Sequence, residues 1–135
     1  MWITRETFNI EMGLTPSLLR FLISQHKRVH FSGSVITLGN LDVWASYDEI
    51  KSYFENLKCP YNTPKNISYQ TSEFLKKRKV KGGTSFVHAR TFFEMMGLTE
   101  YLDIDKFEQD KSMFLHDMNR ALPSELRNRF SLLVD

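Results

Sequence analysis

The chain has 135 residues, of which 41% are hydrophobic and 25% charged, and its formal net charge is +2. This composition is typical of one folded domain and excludes a disordered chain, and the charge is too small to indicate a nucleic-acid partner by itself. The single cysteine, Cys59, excludes an internal disulfide and favours a reducing compartment. The chain starts without a signal-peptide pattern, and no apolar run reaches the roughly 20 residues that span a bilayer. The sequence therefore predicts one cytoplasmic domain over residues 1–135, with no membrane-embedded part.

The first 34 residues predict an N-terminal helical segment. Thr15 is a residue type that caps helices, and Pro16 suits the first helical position. Apolar residues then recur at spacings of three and four up to about Gln25. We predict a helix over Pro16–Gln25.

A strand, a glycine and a second helix follow. The apolar run Val35–Leu38 predicts a buried strand, and Gly39 predicts the turn after it. Ser46 and Glu49 have the spacing of a capping box, which predicts a helix over Tyr47–Leu57. Together these elements predict the first β–α unit of an α/β fold.

Residues 58–83 are predicted to be an irregular, basic insertion. Their distinctive feature is a run of cations that includes Lys76, Lys77, Arg78 and Lys79 and continues to Lys81. Such a run binds the phosphates of nucleic acid, contacts a protein partner, or lies in solvent as a charged loop. The sequence alone leaves these alternatives open.

The stretch Tyr101–Asn119 contains two short apolar runs, each of which ends on a carboxylate. Tyr101–Ile104 is followed by Asp105, and Met113–Leu115 is followed, after one residue, by Asp117. We predict that both runs are strands and that an amphipathic helix over Thr84–Met96 precedes them. Ligands of open parallel sheets bind outside the carboxyl ends of the strands. These carboxylates are therefore candidate ligand contacts, with Asp103 as a weaker one.

The same region resembles a known family. The residues that carry the resemblance are the run Phe92–Gly97, the pair Ile104-Asp105, and His116-Asp117-Met118-Asn119 with Pro123 and Leu126. This ordered series is similar to that of a bacterial group of class I S-adenosylmethionine-dependent methyltransferases. The resemblance covers Ser85–Asp135 and, more thinly, Val35–Leu57.

The resemblance implies a Rossmann-like, mostly parallel sheet of about four strands with flanking helices. It also implies that S-adenosylmethionine is the cofactor. Gly39 matches the glycine of the family's cofactor loop, although Asn40 and Leu41 replace the usual Arg-Gln after it. Asp105 is expected to bind the ribose hydroxyls, and Asp117 and Asn119 are expected near the adenine amino group. The catalytic residues and the methyl acceptor are not implied.

Each of these residues also has a purely structural interpretation. Asp105 can cap the turn that follows its strand, and Asp117 can start an Asx-turn toward Pro123. A lone Gly39 does disfavour NAD and FAD, which need a glycine-rich loop around their pyrophosphate. No metal site is predicted, because His26 and His30 lack a third ligand nearby.

The segment Phe130–Val134 predicts a fourth strand. In the strand order 3-2-1-4 it would lie at an apolar edge, which invites pairing with another chain. We therefore expect either a homodimer through Leu132, Leu133 and Val134, or coverage of this edge by Trp2–Ile10. The predicted elements correspond to the cofactor-binding half of a methyltransferase, so an inactive short chain is one expectation. The alternative is a non-enzymatic binding or inhibitor protein on a reused scaffold, with nucleic acid or protein as its partner.

Overall fold

The protein is an α/β domain with two sheets. The computed structural model describes residues 13–39, 41–70, 85–105 and 114–134. The elements, in chain order, are β1 (Gly13–Leu14), α1 (Pro16–Val29), β2 (Gly33–Leu38), β3 (Asp42–Ser46), α2 (Tyr47–Asn56), β4 (Phe86–His88), α3 (Ala89–Met95), β5 (Leu98–Asp105), β6 (Phe114–Leu115), a 3-10 turn (Ser124–Leu126) and β7 (Leu132–Val134).

The larger sheet has four strands in the order β6-β5-β2-β7, and all of its pairings are parallel. Val35 in the central strand lies opposite Tyr101 on one side and Leu132 on the other. The four strands predicted from the sequence are therefore all present, in the predicted order. Because all four are parallel, their carboxyl ends lie along one edge of the sheet.

The smaller sheet, in the order β1-β3-β4, was not predicted. β3 occupies residues that were expected to connect Gly39 to the second helix. The predicted β–α unit is therefore wrong, because the structure has a β–β–α unit there. The predicted helix over Thr84–Met96 is also wrong at its start. There, β4 pairs antiparallel with β3, with Phe86 opposite Ser46, and the helix begins only at Ala89.

The predicted helix starts are confirmed by their caps. The Thr15 hydroxyl accepts a hydrogen bond from the Leu18 backbone N–H at 3.3 Å. At α2, Ser46 and Glu49 make both reciprocal bonds of the capping box, at 3.2 and 3.3 Å. The first helix continues past Gln25 to Val29, so His26, Lys27 and Arg28 lie in its last turn, where positive charge is favoured.

The larger sheet is covered on both faces. Val35 lies in the main core with side chains of α1, α2 and α3, while Ile36, the next residue, lies in a second cluster on the other face. That cluster packs Ile36 and Ile104 against the connection between β6 and β7, through Leu126 and its neighbours. The sheet is thus a buried layer, as parallel sheets usually are.

The side chains of strand β7 are mostly buried. Leu132 and Val134 are 2% and 1% exposed, and Leu133 packs on the second cluster. The homodimer through this edge remains a prediction, and Trp2–Ile10 lies outside the described residues. Within the ranges described here, no helix combines the length and the apolar character needed to cross a membrane.

Candidate functional site

Gly39 lies at the carboxyl edge of the four-stranded sheet, directly after β2. Its φ of +84° is in the left-handed region, which glycine adopts without steric cost. Its N–H donates to the Ile104 carbonyl at 2.7 Å, and its carbonyl accepts from the Thr37 hydroxyl at 3.0 Å. Gly39 is buried, and both of its polar backbone groups are bonded inside the protein.

Asp105 is the last residue of the neighbouring strand β5 and is half-buried. It follows Ile104, which accepts the Gly39 bond, so Gly39 and Asp105 lie at adjacent strand ends. On its other side, the Asp105 carbonyl accepts from the His116 N–H at 2.7 Å, just beyond β6. The fold therefore brings Gly39 and Asp105 together. It also places His116 beside them, at the start of the segment that contains Asp117 and Asn119.

Asp117 and Asn119 form the turn that follows β6. The Asp117 Oδ1 atom accepts from both the backbone N–H and the side-chain Nδ2 of Asn119, each at 3.0 Å. The Arg120 N–H donates to the Asp117 carbonyl at 2.9 Å. This is the Asx-turn that the sequence offered as the structural interpretation. A contact to adenine stays a prediction for Asp117 and Asn119.

A buried hydrogen-bond relay, which sequence reasoning missed, supports the Gly39 turn. Thr37 is fully buried, and its hydroxyl lies 3.3 Å from the Tyr101 hydroxyl and 3.0 Å from the Gly39 carbonyl. Since a carbonyl only accepts, the single Thr37 proton is donated to Gly39, and the Tyr101 hydroxyl must donate to Thr37. Asp103, also fully buried, lies opposite Thr37 in the register. No sequence motif marks this relay, since Tyr101 is 64 residues from Thr37 in the chain.

A cleft of about 520 Å³ lies at the opposite end of β5. Its walls are the loop around Asn62, one side of α3, and the first residues of β5. The Asn62 N–H donates to the Met95 carbonyl at 2.9 Å, which fixes this loop to the end of α3. Of the described residues, Gly39, Asp105, Asp117 and Asn119 do not line this cleft.

Three other features considered in the sequence are the basic run, Cys59 and a metal site. The basic residues Lys76, Lys77, Arg78 and Lys79 lie outside the described residues, so their contact with nucleic acid or protein remains a prediction. Burial raises the pKa of the Cys59 thiol, against a smaller lowering by the Lys27 cation. In the described part of the chain, no three His, Cys, Asp or Glu side chains come together in a group able to hold a metal ion.

No family model, no curated protein and no solved structure matches this chain. A fold alone does not define a function, because parallel α/β sheets carry many different activities. The function has to be inferred from the carboxyl edge of the sheet and from the resemblance in the residues themselves.

Proposed function

We propose that the chain is a methyltransferase-like domain that binds S-adenosylmethionine at the carboxyl edge of its four-stranded sheet. The observation that carries this proposal is the Gly39 N–H bond to Ile104, which fixes a glycine turn beside the strand end that presents Asp105. The parallel strand order β6-β5-β2-β7 also supports it. In open parallel sheets, ligands bind outside the carboxyl ends of the strands, and Gly39, Asp105 and Asp117 lie at or just after the ends of β2, β5 and β6.

Asp105 supplies the main polar contact in this proposal. An ionised carboxylate can accept hydrogen bonds from both ribose hydroxyls, and such charge-assisted bonds contribute about 1.5–3 kcal/mol each. Asp117 and Asn119, held by their turn one strand further on, are the candidate contacts for the adenine amino group. Gly39 has no spare N–H for the ligand, so its role is to let the chain turn tightly beside it.

The site suits a cofactor without phosphate better than a dinucleotide. A pyrophosphate is usually bound by several backbone N–H groups of a glycine-rich loop that opens a helix. Here β2 is followed by strand β3 instead of a helix, and the Gly39 N–H is already used. A methyl transfer from a sulfonium needs chiefly that the acceptor be positioned in line with it.

Isothermal titration calorimetry with S-adenosylmethionine and with S-adenosylhomocysteine tests the proposal. Asp105→Ala should weaken binding of either ligand by at least about tenfold, which corresponds to the loss of one charge-assisted bond. The matched control is Glu125→Ala, which removes an exposed carboxylate on the 3-10 turn and should leave the dissociation constant unchanged. If the wild-type chain shows no binding of either ligand at millimolar concentration, the proposal fails, and the non-enzymatic alternative becomes the leading hypothesis.

A further inference from the structure

The cleft at the amino end of β5 is separate from the carboxyl edge. Tyr101 is the lining residue of β5 nearest to Asp105, which ends the strand four residues later. At about 3.3 Å per residue the two lie roughly 13 Å apart, which is too far for one small anion to contact both. Its volume of about 520 Å³ lies in the range of small-molecule sites, roughly 300–1,000 Å³.

The lining of this cleft combines apolar surface with charged side chains, and more of these charges are positive than negative. Lys65 and Arg90 contribute two cations and Glu94 one anion. The Glu94 carboxylate is partly engaged already, because its Oε1 atom accepts from the Lys65 backbone N–H at 3.4 Å. Asn62 and Thr63 add an amide and a hydroxyl. The lining therefore favours a polar ligand with a negative group.

Arg90 is held in place by an aromatic stack. Its guanidinium carbon lies 5.2 Å from the centroid of the Tyr101 ring, a cation–π distance. Tyr101 is itself stacked on Phe93, with ring centroids 5.8 Å apart and an angle of 20° between the planes. A guanidinium held against a rigid ring loses less side-chain entropy when it binds a ligand.

We propose that this cleft is a binding site for a small anion with a carboxylate or phosphate group, which Arg90 and Lys65 contact. Arginine presents its donors in a planar fork that matches the two oxygens of such a group. Lys65 also lines the cleft and adds a second positive charge on a flexible four-carbon side chain. The site does not depend on S-adenosylmethionine binding at the other edge of the sheet.

Two-dimensional amide NMR spectra of the full chain, titrated with inorganic phosphate and separately with malonate at constant ionic strength, test the proposal. Saturable shifts are expected at the backbone amides of Thr63, Lys65, Gly97 and Thr99. The probe that saturates at the lower concentration identifies the preferred group. Shifts that grow linearly and spread over the whole surface with both probes would overturn the proposal.

Variants distinguish a built site from general attraction of anions. Arg90→Gln should weaken the binding by at least about tenfold, and Arg90→Lys should weaken it less because the charge remains. The matched control is Arg28→Gln, which removes an exposed cation from the last turn of α1 and should leave the affinity unchanged. Equal affinities in Arg90→Gln and wild type would refute the assignment. Lys65→Gln, in the exposed loop, provides the same test if Arg90→Gln alters the dispersion of the spectrum.

Discussion

Thr37→Val is the substitution that best tests the buried relay beneath Gly39. Valine has nearly the shape of threonine, so the change removes one hydroxyl from a fully buried position and leaves packing almost unaltered. Two hydrogen bonds are lost, those that join Thr37 to the Gly39 carbonyl and to the Tyr101 hydroxyl. At about 1 kcal/mol for each bond, plus about 1–3 kcal/mol for a buried carbonyl left without a donor, the loss is about 3–5 kcal/mol. The methyl group that replaces the hydroxyl in valine offsets about 0.8 kcal/mol of this loss.

We therefore expect Thr37→Val to lower the free energy of unfolding by about 2–4 kcal/mol, measured by urea denaturation with far-UV circular dichroism. Thr37→Ser is the matched control, since it keeps the hydroxyl and removes only a buried methyl group, at a cost of about 1 kcal/mol. Combining Thr37→Val with Tyr101→Phe should cost less than the sum of the two single changes, because both remove the same bond.

A valine variant as stable as the wild type, or more stable than the serine variant, would show that the hydroxyl does not hold the Gly39 turn. Additive effects of Thr37→Val and Tyr101→Phe would contradict the bond between the two hydroxyls while leaving the bond to Gly39 in place.

Three further outcomes are expected. Ser46→Ala should lower stability by about 1 kcal/mol in urea denaturation, since it removes the α2 N-cap, and Ser46→Asn should restore most of it. Burial, and secondarily the neighbouring His30, lower the pKa of His26 from its ordinary 6.5. The unfolded chain therefore binds more protons than the folded one as the pH falls through that value, so stability should decrease there, and His26→Gln should reduce the decrease. The Arg129 hydrogen bond lowers the pKa of Glu100, with a smaller contribution from the Ser34 hydroxyl. Arg129→Gln should raise that pKa in an NMR titration, and an unchanged value would exclude the ion pair in solution.

Elements marked by continuous apolar runs were predictable from the sequence. Val35–Leu38 and Tyr101–Ile104 were predicted as strands of one sheet because a strand buried on both faces needs an apolar residue at nearly every position. The structure confirms them and extends β5 at both ends, from Leu98 to Asp105. The two helix starts were also predictable, because a cap depends only on residues three apart.

The smaller sheet was not predictable, because long-range contacts override the local pattern there. Phe86, Ala89 and Phe93 have helical spacing, yet Phe86 pairs with Ser46 in β3, and Val87 forms a bridge with Tyr69. The helix starts after His88, whose Nδ1 accepts from the Arg90 N–H, and histidine is not among the residues that usually signal a cap.

Some parts of the candidate site could also be predicted from the sequence, and others could not. Gly39 and Asp105 could be placed at one edge from strand order alone. The relay through Thr37 and the cleft around Arg90 could not be placed, because both depend on side chains that meet only after the sheet has formed. Sequence spacing carries no signal for such contacts.

The central position of β2 has a consequence for how the chain folds. Its pairing with β5 joins residues such as Ser34 and Glu100, which are 66 apart in sequence, and its pairing with β7 joins Val35 to Leu132, which are 97 apart (132 − 35). Contacts this distant require large loops to close before any bond forms, which slows folding. The helices α1 and α2 form from local contacts, so we expect them to appear early and the sheet to close late. Until it closes, the apolar strand Gly33–Leu38 is without its partners, and a chaperone that binds extended apolar segments would find it accessible during that interval.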